Sequence, residues 1–159
     1  MPLFKRLVLS LGFTSLLGSC SEPVIPNTDV VDTPQNRAVI TFCEQYRRAV
    51  ELKHVGTLIE MASADYYEDG GTLDPSDDID RTELALYLRE KYSQAESVRY
   101  EIRYRRVGQG RKDRLLVDYT YSASYRIPTS DGPEWRRKIS ENRLELVPSG
   151  EKFQIVAGM

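Results

Sequence analysis

The hydrophobic period of the chain changes near residue 97, and that change limits the folds open to it. Before it, Val39, Phe42, Cys43, Tyr46, Ala49 and Val50 recur at three- and four-residue steps, one face of a helix. After it, Val98, Tyr100, Ile102 and Tyr104 alternate with Arg99, Glu101, Arg103 and Arg105, the period of a half-buried strand. Helices first and strands last predict an α+β fold: three N-terminal helices packed on a curved antiparallel sheet of about four to six strands.

Local signals place the helices. Thr33-Pro34 offers a capping hydroxyl and then a proline where its missing N–H costs nothing, so the first helix is expected over Pro34 to Lys53. Gly56 is read as its break, with a short second helix over Thr57 to Ala62. Asp65 to Gly71 reads as a short strand running into a sharp turn. Asp80 followed by Glu83 forms an acidic capping box, and Leu84, Tyr87, Leu88 and Tyr92 give a third helix its buried stripe.

Beyond the turn through Gly108 and Gly110, Leu115, Val117, Tyr119, Tyr121, Ala123, Tyr125 and Ile127 share one strand face. Two further strands, Trp135 to Val147 and Lys152 to Ala157, complete a meander. The third strand breaks the pattern. Trp135 and Ile139 lie in one phase and Leu144 and Leu146 in the other, so one face cannot hold all four without a bulge or a change of sheet. With Leu144 and Leu146 in the core, Asn142 and Ser140 face it too. Buried polar groups need partners, so a pocket is expected to begin there.

At the other end of the chain, Lys5 and Arg6 precede about eleven mostly apolar residues, Leu7 to Leu17. That run is shorter than the ~20 residues a bilayer requires and has the charge order of a secretory signal. It closes on Leu17-Gly18-Ser19-Cys20, which resembles the lipobox of bacterial lipoproteins. The resemblance implies a signal peptide over residues 1–19, cleavage before Cys20, lipid on the Cys20 sulfur and membrane attachment through it. Ser21 in place of aspartate implies, by the same resemblance, the outer membrane and a domain facing the periplasm. Residues 20–33, polar and with Pro23 and Pro26, are expected to form the lipidated cysteine and an extended tether, leaving residues 34–159 as the folded domain.

Residues 20–159 number 140, enough for one domain with a real core. Charge divides unevenly along them. Residues 21–96 carry seven basic and sixteen acidic side chains, a balance of −9. Residues 97–159 carry thirteen basic and eight acidic, a balance of +5. This predicts an acidic helical half beside a basic outer sheet face, each solvated; a basic surface meeting anionic lipid or another polymer is the alternative. With Cys20 taken by lipid, Cys43 has no disulfide partner and reads as a small buried hydrophobe. His54, the one histidine, sits in no recognisable catalytic motif. The acids from Glu68 to Asp80 lack the spacing of a calcium loop, so neither metal nor cofactor is expected. No nucleic-acid partner is expected for an exported chain.

The helix from Pro34 to Lys53, the segment Tyr66-Tyr67-Glu68-Asp69-Gly70-Gly71 and the strands from Val98 to Ala157 together resemble the nuclear-transport-factor-2-like superfamily of cone-shaped α+β domains. Element order of this kind is also compatible with a cystatin-like fold. The resemblance implies a curved sheet around the first helix and an apolar pocket at the open end of the cone. The superfamily holds isomerases, dehydratases, cyclases and hydrolases beside non-catalytic binding domains, so fold alone does not select a function. Its dehydratase-type members use an Asp–His pair, which this chain's single histidine does not match. Among carboxylates, Asp69 is the candidate base, with Glu68, Asp65 and Asp118 behind it, and with Asp118 alternating toward solvent. Tyr67, Asp69, Tyr119, Tyr121 and Asn142 are the candidate pocket residues. The reading reached is a lipid-anchored envelope protein whose domain binds a small apolar ligand or a protein partner. The alternative is a small isomerase, dehydratase or hydrolase with a carboxylate base in the pocket. Nothing in the residues fixes an oligomeric state.

Overall fold

The computed structural model describes residues 22–71 and 74–159. Cys20 and the apolar run before it lie outside the described residues. Three helices, α1 (Pro34–Glu51), α2 (Val55–Met61) and α3 (Arg81–Ser93), precede a sheet of β3 (Ser97–Gln109), β4 (Leu115–Ile127), β5 (Glu134–Ser149) and β6 (Lys152–Ala157). A two-residue antiparallel pair, β1 (Tyr67–Glu68) and β2 (Ile79–Asp80), sits between α2 and α3. The large sheet is an antiparallel meander in the order β3-β4-β5-β6. The α+β architecture expected from the change of period is present.

The caps form as their residues dictate. The Thr33 hydroxyl accepts from the Asn36 N–H at 3.1 Å, with Pro34 in the first turn. Asp80 accepts from the Thr82 and Glu83 amides while Glu83 accepts from the Asp80 amide, a complete capping box. The break between α1 and α2 differs from expectation. Gly56 lies inside α2, and the chain turns at Lys53, which takes the left-handed φ of 54°. His54 then caps α2, its Nδ1 accepting from the Thr57 N–H at 3.1 Å. What holds Lys53 there is distant in sequence: its ammonium donates to the Ala95 and Glu96 carbonyls at 2.7 and 3.2 Å, just past the end of α3. A cation at that place also suits the helix dipole.

α1 lies on the inner face of the sheet, burying Val39, Phe42, Cys43, Tyr46 and Val50 against it. Polar ties fix its position on β3. The Tyr104 hydroxyl donates to Glu44 at 2.9 Å, and Arg47, paired with Glu44 and Glu51, donates to the Tyr100 carbonyl at 3.1 Å. Both edges of the sheet are covered, which removes the templates for edge pairing. On β6, the Ser63 N–H donates to the Ile155 carbonyl at 2.8 Å. On β3, the Tyr104 carbonyl accepts from the Asp29 N–H at 3.0 Å.

That last bond belongs to a segment where extended chain was expected. Residues 22–32 are folded onto β3 rather than extended. Val24 bridges Val31, and a turn through Pro26 and Asn27, the latter at φ 64°, returns the chain so that Ile25 and Val30 enter the core. Val30 keeps only 2% of its surface exposed. The Asp29 carboxylate pairs with Arg103 at 2.6 Å and Arg105 at 2.9 Å. Apolar burial and charge pairing together outweigh the freedom a tether would keep.

The conflict of phase in β5 resolves without a bulge between its two halves. Trp135 and Ile139 point to the outer face, 48% and 61% exposed, while Leu144 and Leu146 are fully buried. The sheet does bulge elsewhere, at Arg105 on β3 and at Val156 on β6, opposite Glu145 and Leu146. The outer-face arginines are largely paired: Arg106 and Arg143 with Asp118, Arg126 with Glu96, Arg114 with Glu145.

Candidate functional site

The register of the inner face sets up a hollow. Three rows cross β3, β4 and β5: Tyr100–Ala123–Lys138, Ile102–Tyr121–Ser140 and Tyr104–Tyr119–Asn142. Ala123 and Ser140 are small, so the tyrosines beside them stand around space that α1 and α3 only partly fill. The result is a cavity of about 380 Å³. α1 gives it Tyr46 and Val50, and α2 gives Leu58. α3 gives Tyr87, Leu88, Lys91 and Tyr92. Tyr100, Tyr121, Tyr125 and Ile127 come from β3 and β4, with Lys138 and Asn142 from β5.

Its polar groups are knit together. The Tyr46, Tyr100 and Tyr119 phenols influence one another's ionisation, and the Asn142 amide donates to the Tyr119 hydroxyl at 3.0 Å. Burial pushes the phenols of Tyr46, Tyr92, Tyr100 and Tyr119 upward, so they stay neutral and act only as hydrogen-bonding hydroxyls near neutral pH. The nearby Tyr121 phenol raises the Lys138 pKa and keeps the ammonium charged. Lys91 stands 5.3 Å from the Tyr87 ring centre, a cation–π distance. No Asp, Glu or His belongs to the described lining.

No protein-family model matches the chain, and no curated protein matches it. Its shape is shared with solved structures at low identity. A putative scytalone dehydratase from Novosphingobium aromaticivorans superposes with a TM-score of 0.61 at 12% identity, over 78% of this chain and 80% of that one. ActVI-ORFA from Streptomyces coelicolor gives 0.62 at 9% identity, over 78% and 94%. A putative calcium/calmodulin dependent protein kinase II association domain from Xanthomonas campestris gives 0.60 at 14% identity, over 85% and 94%. The fold is the nuclear-transport-factor-2-like cone. Identity at this level carries the fold and not an activity.

Within the cone, the five candidate pocket residues part company. Tyr121 and Asn142 line the cavity, and Tyr119 is buried behind them at its wall. Tyr67 and Asp69 stand elsewhere, on the β1 arm. Tyr67 is 53% exposed with its hydroxyl on Asp78, and the Asp69 carboxylate accepts from the Gly71 N–H at 3.1 Å, fixing the turn. Glu68 accepts from the Gly158 N–H at 2.5 Å, which anchors the end of the chain. Asp65 is exposed. Asp118 lies on the outer face between Arg143 and Arg106, whose hydrogen bonds hold its carboxyl below the usual range. His54 is engaged as a helix cap, and the Cys43 thiol is buried, which pushes its pKa up and away from reactivity. Among the described residues no cluster of three His, Cys, Asp or Glu side chains is placed to hold a metal ion.

Sequence reasoning missed Lys138, Lys91, Tyr87 and Tyr125 as lining residues. For Lys138 a signal existed: it shares the phase of Asn142 and Leu144, a charged side chain in the inward set of β5.

Proposed function

We propose that this chain is a bacterial lipoprotein, held to the outer membrane through Cys20, whose cone binds a small apolar ligand and does not transform it. The observation that carries the binding half is the chemistry of the cavity wall: six tyrosines, aliphatic side chains, and no carboxylate or imidazole among the described lining residues. Such a wall buries and orients a ligand. It offers no base with a pKa near neutrality, which proton abstraction would need. The anchoring half is supported by the residues at 17–20 and their flanks.

Native mass spectrometry of the full chain released from its own membranes tests the reading. The expected spectrum shows the chain from Cys20 onward carrying a diacylglyceryl group on its sulfur and an acylated amine, plus a small co-purified molecule. A bare polypeptide mass that is retained when Cys20→Ser leaves the protein equally membrane-bound would overturn it. The enzymatic alternative draws on the dehydratase-named protein that shares the fold. The carboxylate expected to serve as its base, Asp69, is exposed and outside the cavity lining, so the alternative would stand only if a measured turnover were lost in Asp69→Asn with the fold intact.

A further inference from the structure

We propose that the cavity takes a small organic anion, a carboxylate carried on an apolar or aromatic body, with Lys91 and Lys138 receiving the charged end at the mouth. This rests on the ligand-binding reading above and names the ligand's chemistry.

Polarity within the cone runs in one direction. Along the inward phase of β5, Leu146 and Leu144 are sealed in the closed end, Asn142 marks the middle and Lys138 reaches the exposed end. α3 faces that end with Tyr87 and Lys91, four residues apart and so on one side of the helix. Tyr87 holds the Lys91 ammonium over its ring, 5.3 Å from the centre, and Tyr87, Lys91 and Lys138 all line the same cavity.

Among the described residues no ion pair involves Lys91 or Lys138, whereas Arg103, Arg105, Arg106, Arg126 and Arg143 are all matched with acids. The described lining contains no Asp or Glu to repel an anion. The Lys138 ammonium carries three N–H donors and no acceptor, enough to meet both oxygens of a carboxylate. The volume of about 380 Å³ is at the small end for ligand pockets, ~300–1,000 Å³, which favours a single ring or short chain over a fused polycycle.

Isothermal titration of the full chain in phosphatidylcholine nanodiscs, with empty nanodiscs as the blank, compares three probes of one shape: 4-phenylbutyrate, 4-phenylbutan-1-ol and 4-phenylbutylamine. The acid should bind about tenfold more tightly than the alcohol, the amine more weakly than either. Lys138→Met and Lys91→Met should each erode the acid's advantage over the alcohol, with circular dichroism and thermal unfolding matching the parent chain to show that the variants are folded. Equal binding of acid and alcohol overturns the anion proposal and leaves the apolar-ligand reading standing. Preference for the amine overturns it too. Failure of all three to bind removes both readings.

Discussion

The side-chain amide of Asn142 donates to two partners at once, the Tyr119 hydroxyl and the Gly158 carbonyl, each at 3.0 Å. One residue thus ties the Tyr119 hydroxyl in the cavity wall to the end of the chain. Asn142→Leu keeps the size and removes both donors, leaving a buried hydroxyl and a carbonyl short of partners. It should lower stability by ~1–3 kcal/mol in urea denaturation. The Gly158 and Met159 amides should exchange faster with solvent. A change below ~0.5 kcal/mol would mean that water replaces the amide without loss.

Gly158 has a φ of 92°, and a Cβ there would overlap the Arg143 carbonyl. Gly158→Ala therefore cannot keep the tail seated, where Glu68 and Tyr66 accept from the Gly158 and Met159 amides at 2.5 and 3.2 Å. The expected cost exceeds ~1 kcal/mol, with loss of amide protection confined to the tail and β1. Global loss of protection would show that the tail is integral to the whole core.

Asp118 contributes to acid stability. Its carboxyl is held below the ordinary 3.8, by the hydrogen bond from Arg143 first and that from Arg106 second. The unfolded chain then binds the proton more readily, so stability rises with pH through this window. The contribution is fully present above about pH 4 and is lost as pH falls through the depressed value. Asp118→Asn should flatten the acid limb of a pH–stability curve and leave the neutral plateau lowered. An unchanged acid limb would assign that limb to other carboxylates.

Lys53 combines an unfavourable backbone with a favourable side chain, so two substitutions separate them. Lys53→Ala loses the ammonium's bonds to Ala95 and Glu96 and keeps the left-handed strain. Lys53→Gly loses the same bonds and relieves the strain. Glycine should therefore be the more stable variant by ~1 kcal/mol. Equal stabilities would mean that the α1–α2 corner relaxes when the lysine is gone.

What could be read from the sequence was local or periodic. The Thr33 and Asp80 caps, the stripe of α1 and the alternation of β3 and β4 are decided within a few residues, and they stand where expected. The start of α2 was not legible, because Gly56's helix penalty of ~1 kcal/mol is small beside the contacts Lys53 makes some forty residues away. Residues 22–32 were opaque for a similar reason. Two apolar pairs around a Pro26-Asn27 turn form too short a pattern to show a period. The same division runs through the site. Tyr119, Tyr121 and Asn142 shared an inward phase that sequence displays. Lys91 and Lys138 reach one cavity from α3 and β5, which no local pattern joins, and Asp69 sits in the Gly70-Gly71 turn that its own carboxylate helps fix.

A crystal structure of the chain purified from its native membranes, with nothing added, tests most directly that the cone is a binding site. The expected result is continuous non-protein density in the cavity, in contact with Tyr46, Leu88 and Tyr121 and reaching toward Lys91 and Lys138. A cavity holding only separate water peaks, or one closed by inward movement of α3, would contradict it.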